Sequence, residues 1–174
     1  MAIRHRLIEA DLRTVWAVLS DGDRYTEWVV GTSASRQVRG RWPQMDAAIS
    51  YEVRLGPVRL SNETVVRRVE EPTELELEAH AGPLGTARIA FELRPWGERC
   101  LIIADEHPLN GVGGLLHNAG AEVVIQLRHR AMLARLARIC ESRQKEGRQE
   151  TEKAATGAQP SETAGAPGPG GPGA

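Results

Sequence analysis

Two side chains in this sequence sit where apolar neighbours give them chemical latitude, a histidine and a glutamate. Winding residues 123–140 (VVIQLRHRAMLARLARIC) at 100° per residue gathers Ile125, Met132, Leu133, Leu136, Ile139 and Cys140 into one apolar stripe. His129 falls near the stripe's centre. Imidazole changes charge near neutral pH, so a histidine on such a face is placed to take up and give back a proton. Glu106 shares a strand face with Ile102 and Ala104 and therefore points into the concavity of any sheet that strand joins, as a second acid or base. Both placements also suit plain structure: His129 as a core histidine bonded to a backbone carbonyl or to Glu106, and Glu106 as a strand-end residue at a rim. Trp42 and Tyr51 are candidates to line a pocket, Tyr51 with a hydroxyl to orient a ligand. Trp16 and Trp28 read as core. Asn118 and Glu122 project onto the His129 stripe if the helix starts early enough, which makes its upstream half polar and its downstream half greasy. A cavity mouth above a packed base shows that gradient. So does a helix start with Asn118 as N-cap and Glu122 favoured by the dipole.

The elements that must position these groups follow from periodicity. Residues 3–8 alternate as a short strand whose charges suit a sheet edge. Asp11 offers an N-cap, and Leu12, Val15, Trp16 and Leu19 give a short helix one apolar face; Tyr25 and Trp28 mark a second. From residue 33 the period drops to two. A weak strand over 33–39 is followed by 47–53, 58–69, 74–80, 87–94 and 99–107, separated by Gly/Pro turns. In the strand 58–69, Leu60 and Val66 argue for even positions facing inward and Val65 and Val69 for odd ones, as a bulge produces. Glycine-rich residues 108–120 lead into the long helix. Consecutive strands with tight turns predict an antiparallel meander, and the long helix is the element available to cover its apolar face.

The chain has 174 residues and a net charge of −1, without the basic excess of a nucleic-acid-binding protein. The arginines of the last helix read as a solvated face, or as a local basic patch for a partner. Cys100 and Cys140 stand far apart with no CxxC spacing, no apolar run spans a membrane, and the N-terminus lacks a signal-peptide core, so a reduced, cytoplasmic protein is expected. The five histidines have no metal spacing, the glycines at 111–114 lack the lysine of a phosphate loop, and Asn62-Glu63-Thr64 is a sequon in form only. Neither a metal nor a cofactor is called for. From Glu141 onward there is no Leu, Ile, Val, Met or aromatic residue, which predicts a domain over 1–140 and a disordered tail over 141–174, charged and then Gly/Pro/Ala-rich.

The order of strand, two short helices, six strands and a long helix resembles the helix-grip fold of the SRPBCC superfamily, which includes START, Bet v 1 and polyketide cyclase/dehydrase proteins. The resemblance rests on Val15-Trp16 with Leu19 and Asp21, Tyr25-x-x-Trp28-Val29, Arg41-Trp42-Pro43, Gly56-Pro57, Glu71-Pro72, Glu106, and Arg128 with Leu133 and Leu136. Two positions depart from it. Asp46-Ala47 stands where a turn glycine is expected, and His129 where many relatives carry Asn. The resemblance implies an α+β fold, a curved antiparallel sheet of about seven strands around the C-terminal helix. It also implies an internal cavity for a lipid, steroid or polyketide. Some members bind and carry such molecules; others cyclise or dehydrate them, and the fold alone does not choose. The first expectation is therefore binding of a hydrophobic small molecule near Trp42, Tyr51, Glu106, Asn118 and His129. The second is a cyclase or dehydratase using His129 and Glu106, and the third a non-catalytic interaction module.

Overall fold

The computed structural model describes residues 2–55, 58–80, 85–110 and 119–157, with side chains left out at residue 2, at 54, 55, 58 and 60, over 119–128 and at 157. Strand β1 (Ala2–Ile8) leads into helix α1 (Leu12–Leu19), a 3-10 turn (Gly22–Arg24) and helix α2 (Tyr25–Trp28). Strands β2 (Thr32–Arg39), β3 (Ala48–Leu55), β4 (Val58–Glu70), β5 (Glu74–His80), β6 (Thr86–Trp96) and β7 (Arg99–Asn110) follow, and α3 covers Ala119–Gly157. The strands form one antiparallel sheet in the order β1-β7-β6-β5-β4-β3-β2. Every pair joins strands consecutive in sequence except β1 with β7.

Directly opposed residues of an antiparallel sheet share a face, so the register fixes the concave surface row by row. Ala104, Phe91, Leu75 and Val69 form one row; Glu106, Ile89, Leu77 and Val66 the next; Ala87, Ala79, Thr64 and Ile49 a third. Tyr51 opposite Asn62 lies one step further along β3 and β4. The parity conflict in β4 has the expected cause. A register shift falls between Val66 and Arg68, so Asn62, Thr64 and Val66 face inward before it and Val69 packs on the core after it.

Helix α1 starts where its sequence says. Asp11 accepts a hydrogen bond from the Thr14 N–H at 2.8 Å, and Val15, Trp16, Val18 and Leu19 are buried. Burial alone would raise the Asp11 carboxyl, but the bonds it receives, first from the Thr14 N–H, bring it below the usual value. From α3, Met132, Leu133, Leu136, Ala137 and Cys140 enter the core beside Ile8, Phe91, Leu93, Cys100 and Ile102. Burial pushes the thiols of Cys100 and Cys140 up to about 11 and about 12, which keeps both as neutral core groups.

The helix does not stop at Cys140, and the expected disordered tail over 141–174 is corrected in its first part: Glu141–Gly157 continues α3. Glu, Gln, Lys, Arg and Ala extend an existing helix at little cost, because the unfavourable nucleus has already formed upstream. Tertiary contacts hold the first turns. Gln144 Oε1 accepts from the Thr14 hydroxyl at 2.8 Å and from the Asp11 N–H at 3.4 Å, and Arg148 meets Glu98 at 3.0 Å. Residues 158–174 lie outside the described part. A second local departure is resolved at Asp46. Its φ is 62°, the left-handed region where a turn glycine is expected, and aspartate is among the few other residues that adopt it.

Candidate functional site

Two short elements place an aromatic cluster over the concave face. Tyr25 on α2 is its hub, with ring centroids 5.2 Å from Trp28, 5.9 Å from Trp42 and 5.5 Å from Tyr51. Trp28 in turn meets Phe91 edge-on at 5.9 Å. The Tyr25 hydroxyl lies 2.8 Å from the Thr64 hydroxyl, both buried. Trp42 enters from the corner before β3, where its ring packs on Gly22: a Cβ there would stand 3.1 Å from Ile49 Cδ1 and 3.2 Å from Trp42 Cβ and Cγ. The Trp42 indole N–H donates to the Leu19 carbonyl at 3.1 Å, so Trp42 presents only an apolar surface to the interior.

Across the sheet, β7 and α3 bring together the two groups singled out by their chemistry. His129 is buried, and its Nε2 contacts Glu106 Oε2. An ionised carboxylate only accepts, so this contact places the proton on Nε2 when Glu106 is charged. One proton then lies between a wall of the sheet and a wall of the helix. Tyr51 is buried on the opposite flank, at β3. Asn118 lies outside the described residues, as do the side chains of Glu122, Ile125 and Arg128. The site residues therefore fall into two groups: Glu106 with His129 on one side, and Trp42 with Tyr51 in the aromatic cluster on the other.

Between these groups the concave surface changes character. Toward the Cys140 end of α3, Leu75, Phe91, Leu93, Cys100 and Ile102 are each at most 2% exposed. Toward the Ala119 end, Ala79, Ala87, Ile89 and Glu106 remain partly exposed although they face inward. Alanine reaches less far from the sheet than leucine or phenylalanine, so the third row is shallow where Ala79 and Ala87 stand, on β5 and β6, while Thr64 and Ile49 further along it are fully buried.

Three polar atoms on this side escaped the residue-by-residue reading. Asn62 Oδ1, Trp28 Nε1 and Arg4 Nε are buried and have no hydrogen-bond partner among the described residues. Arg4 opposes Ala104 and shares its strand face with Ile8, so it faces inward; the charges of β1, read as a sign of an edge, conceal this. Asn62 carries a signal of its own, since the even parity indicated by Val66 places it inside. On the convex face charges pair with each other, as in Arg67 with Glu78 at 2.7 Å and His107 with Asp105 at 2.8 Å, and there too two buried atoms, Arg88 Nε and Asp105 Oδ1, have no hydrogen-bond partner among the described residues. Among the described residues no group of three or more His, Cys, Asp or Glu side chains is placed to hold a metal ion, and no helix is long and apolar enough to cross a membrane.

Residues 4–141 match the family model described as polyketide cyclase / dehydrase and lipid transport. Among solved structures the chain is similar to the Zhui aromatase/cyclase from Streptomyces sp. R1128, with a TM-score of 0.63 and 14% identity, over 82% of this chain and 93% of that one. Ara h 8.0201 superimposes with a TM-score of 0.66 and 9% identity, over 81% and 97% of the two chains. A protein from Arthrobacter aurescens does so with 0.64 and 14%, over 80% and 85%. Identities this low establish a shared fold. No curated protein matches the chain in sequence.

Proposed function

The chain belongs to the polyketide cyclase/dehydrase and lipid transport family, and from that premise we propose that it binds a hydrophobic small molecule between the concave face of the sheet and α3. The observation that carries this reading is the set-back surface of Ala79, Ala87 and Ile89 above a base of fully buried apolar side chains. Small inward residues with residual exposure are how a sheet keeps room for a ligand that the rest of its core would fill. Trp42 and Tyr51 supply walls on one flank, and Glu106 with His129 a polar anchor on the other. Native mass spectrometry of the purified protein, followed by denaturing extraction, is the test. About one equivalent of an apolar small molecule is the expected result. A protein that stays empty after incubation with fatty acids, sterols and polyphenols would refute binding and favour the interaction-module reading.

The contact between His129 and Glu106 favours a second reading, proton transfer on a bound polyketide-like substrate. In a dehydration the pair would take the proton from the carbon next to a carbonyl and return a proton to the departing hydroxyl, leaving a carbon–carbon double bond and water. His129→Ala and Glu106→Gln would then lose turnover while retaining binding; unchanged turnover in both would eliminate the mechanism.

A further inference from the structure

The outer, convex face of the sheet is not uniform. On β5 every outward residue is charged: Glu74, Glu76, Glu78 and His80. On β1 and β7 the outward positions include Ile3, Leu7, Leu101 and Ile103, and Trp96 continues them at the end of β6. Leu101 opposes Leu7 and is diagonal to Trp96, while Ile103 lies two residues along β7 and is diagonal to Ile3, so these side chains form one patch. Trp96 is 58% exposed and Ile3 49%, and the other three are half-buried. The core lies on the opposite face of the sheet, so this patch contributes nothing to it; a contiguous apolar surface on the water-facing side of an antiparallel sheet marks an interface.

We propose that this face is a dimer interface, in which two copies of the chain lay β1, β7 and the end of β6 against each other about a two-fold axis running across the strands. The register carries the choice of partner. The centre of the patch falls between the row of Arg94, Leu101 and Leu7 and the row of Glu92, Ile103 and His5. A second copy turned over about that centre sets Arg94 over its Glu92, Leu101 over its Ile103 and Arg99 over its Asp105, and every contact occurs twice. Trp96 then lies over Ala90 of the second copy, the small outward residue of β6, which leaves room for the indole. The face is thus complementary to itself in charge and in shape. It offers little to an anionic lipid surface, because its cations are already matched within the chain: Arg94 meets Glu92 at 2.6 Å, Arg99 meets Glu9 at 3.2 Å and His107 meets Asp105 at 2.8 Å.

Sedimentation velocity over a dilution series of the full chain tests this. The wild type is expected to be a dimer at about 100 μM and to dissociate on dilution. Trp96→Glu is expected to weaken the dimer by about tenfold or more while the far-UV circular dichroism stays that of the wild type. Arg94→Glu sets glutamate over Glu92 in both halves, and Glu92→Arg sets arginine over Arg94; each is expected to weaken the dimer by about fivefold. The double variant Glu92→Arg/Arg94→Glu restores both pairs and should return to within about twofold of the wild type. This charge cycle decides the matter by itself if Trp96→Glu does not fold. A wild type that is monomeric at about 100 μM, or a dimer that neither Trp96→Glu nor the single reversals weaken, would overturn the interface. A double variant as weak as the single ones would overturn the two-fold arrangement. A monomeric wild type that cosediments with phosphatidylglycerol vesicles, and loses this in Trp96→Glu, would give the face to a lipid surface instead.

Discussion

The two ends of the interior answer to different demands. At the Cys140 end, Leu136, Ala137 and Cys140 of α3 close on Ile8, Leu93, Cys100 and Ile102, all at most 2% exposed and all apolar. At the other end His129 of α3 meets Glu106, and the sheet turns inward the polar Asn62 and Thr64, with alanines between them. Both ends are built on the same alternation and the same helix. What differs is whether side-chain volume and hydrogen bonding close internally. The Cys140 end closes on itself; at the other end Asn62 Oδ1 has no partner among the described residues, and Ala79, Ala87 and Ile89 stay partly exposed.

Three measurements break or sharpen this contrast. The largest effect belongs to the closed end: Leu136→Ala should lower the unfolding free energy by about 3 kcal/mol in urea titrations, through lost burial and the cavity left behind. A loss under about 1 kcal/mol would mean the Cys140 end is as loosely filled as the other. At the open end, His129→Ala leaves Glu106 without its imidazole partner and should cost about 2 kcal/mol, as should Glu106→Gln to a lesser extent. The double variant His129→Leu/Glu106→Leu should return to within about 1 kcal/mol of the wild type, because paired polar groups replaced together leave nothing unsatisfied. Additive losses in that cycle would show that the two residues act separately. The smallest effect lies at the N-cap of α1, which meets α3 at Gln144, beyond Cys140. Asp11→Ala should cost about 1 kcal/mol near neutral pH. Since the Asp11 carboxyl is lowered in the folded state, its contribution is complete above the unfolded value and fades as the pH falls below about 4. A penalty that persists undiminished into acid would assign the effect to packing instead of the charge.

Much of the architecture was legible because period-2 and period-3.6 patterns are direct projections of which face is buried. The β4 bulge showed as two apolar parities in one strand, and the α1 cap as an aspartate before an apolar helical face. Helix α3 was misjudged past Cys140 because a segment without apolar residues cannot fold alone, whereas here it only prolongs a helix anchored through Gln144 to Asp11 and Thr14. The site was half legible. His129 and Glu106 stood out as polar residues on apolar faces, and their contact follows from the covering of the sheet by the helix. Asn62 and Arg4 did not stand out. Asn62 lies in a strand whose parity the sequence left open, and Arg4 in one whose charges suggested an edge; both hide on inward positions that only the register reveals.

The order of the sheet also has a consequence in time. Strands β2 to β7 pair with neighbours in sequence and can zip up hairpin by hairpin, but β1 joins β7, about ninety residues away. The first strand to be made is therefore the last that can be seated, and it waits until the chain has been synthesised past Asn110. Until β1 docks, β7 offers an open edge and Ile8 has no core to enter. Completion of this fold is thus governed by its longest-range contact, so its rate is expected to be set by that closure more than by the early hairpins.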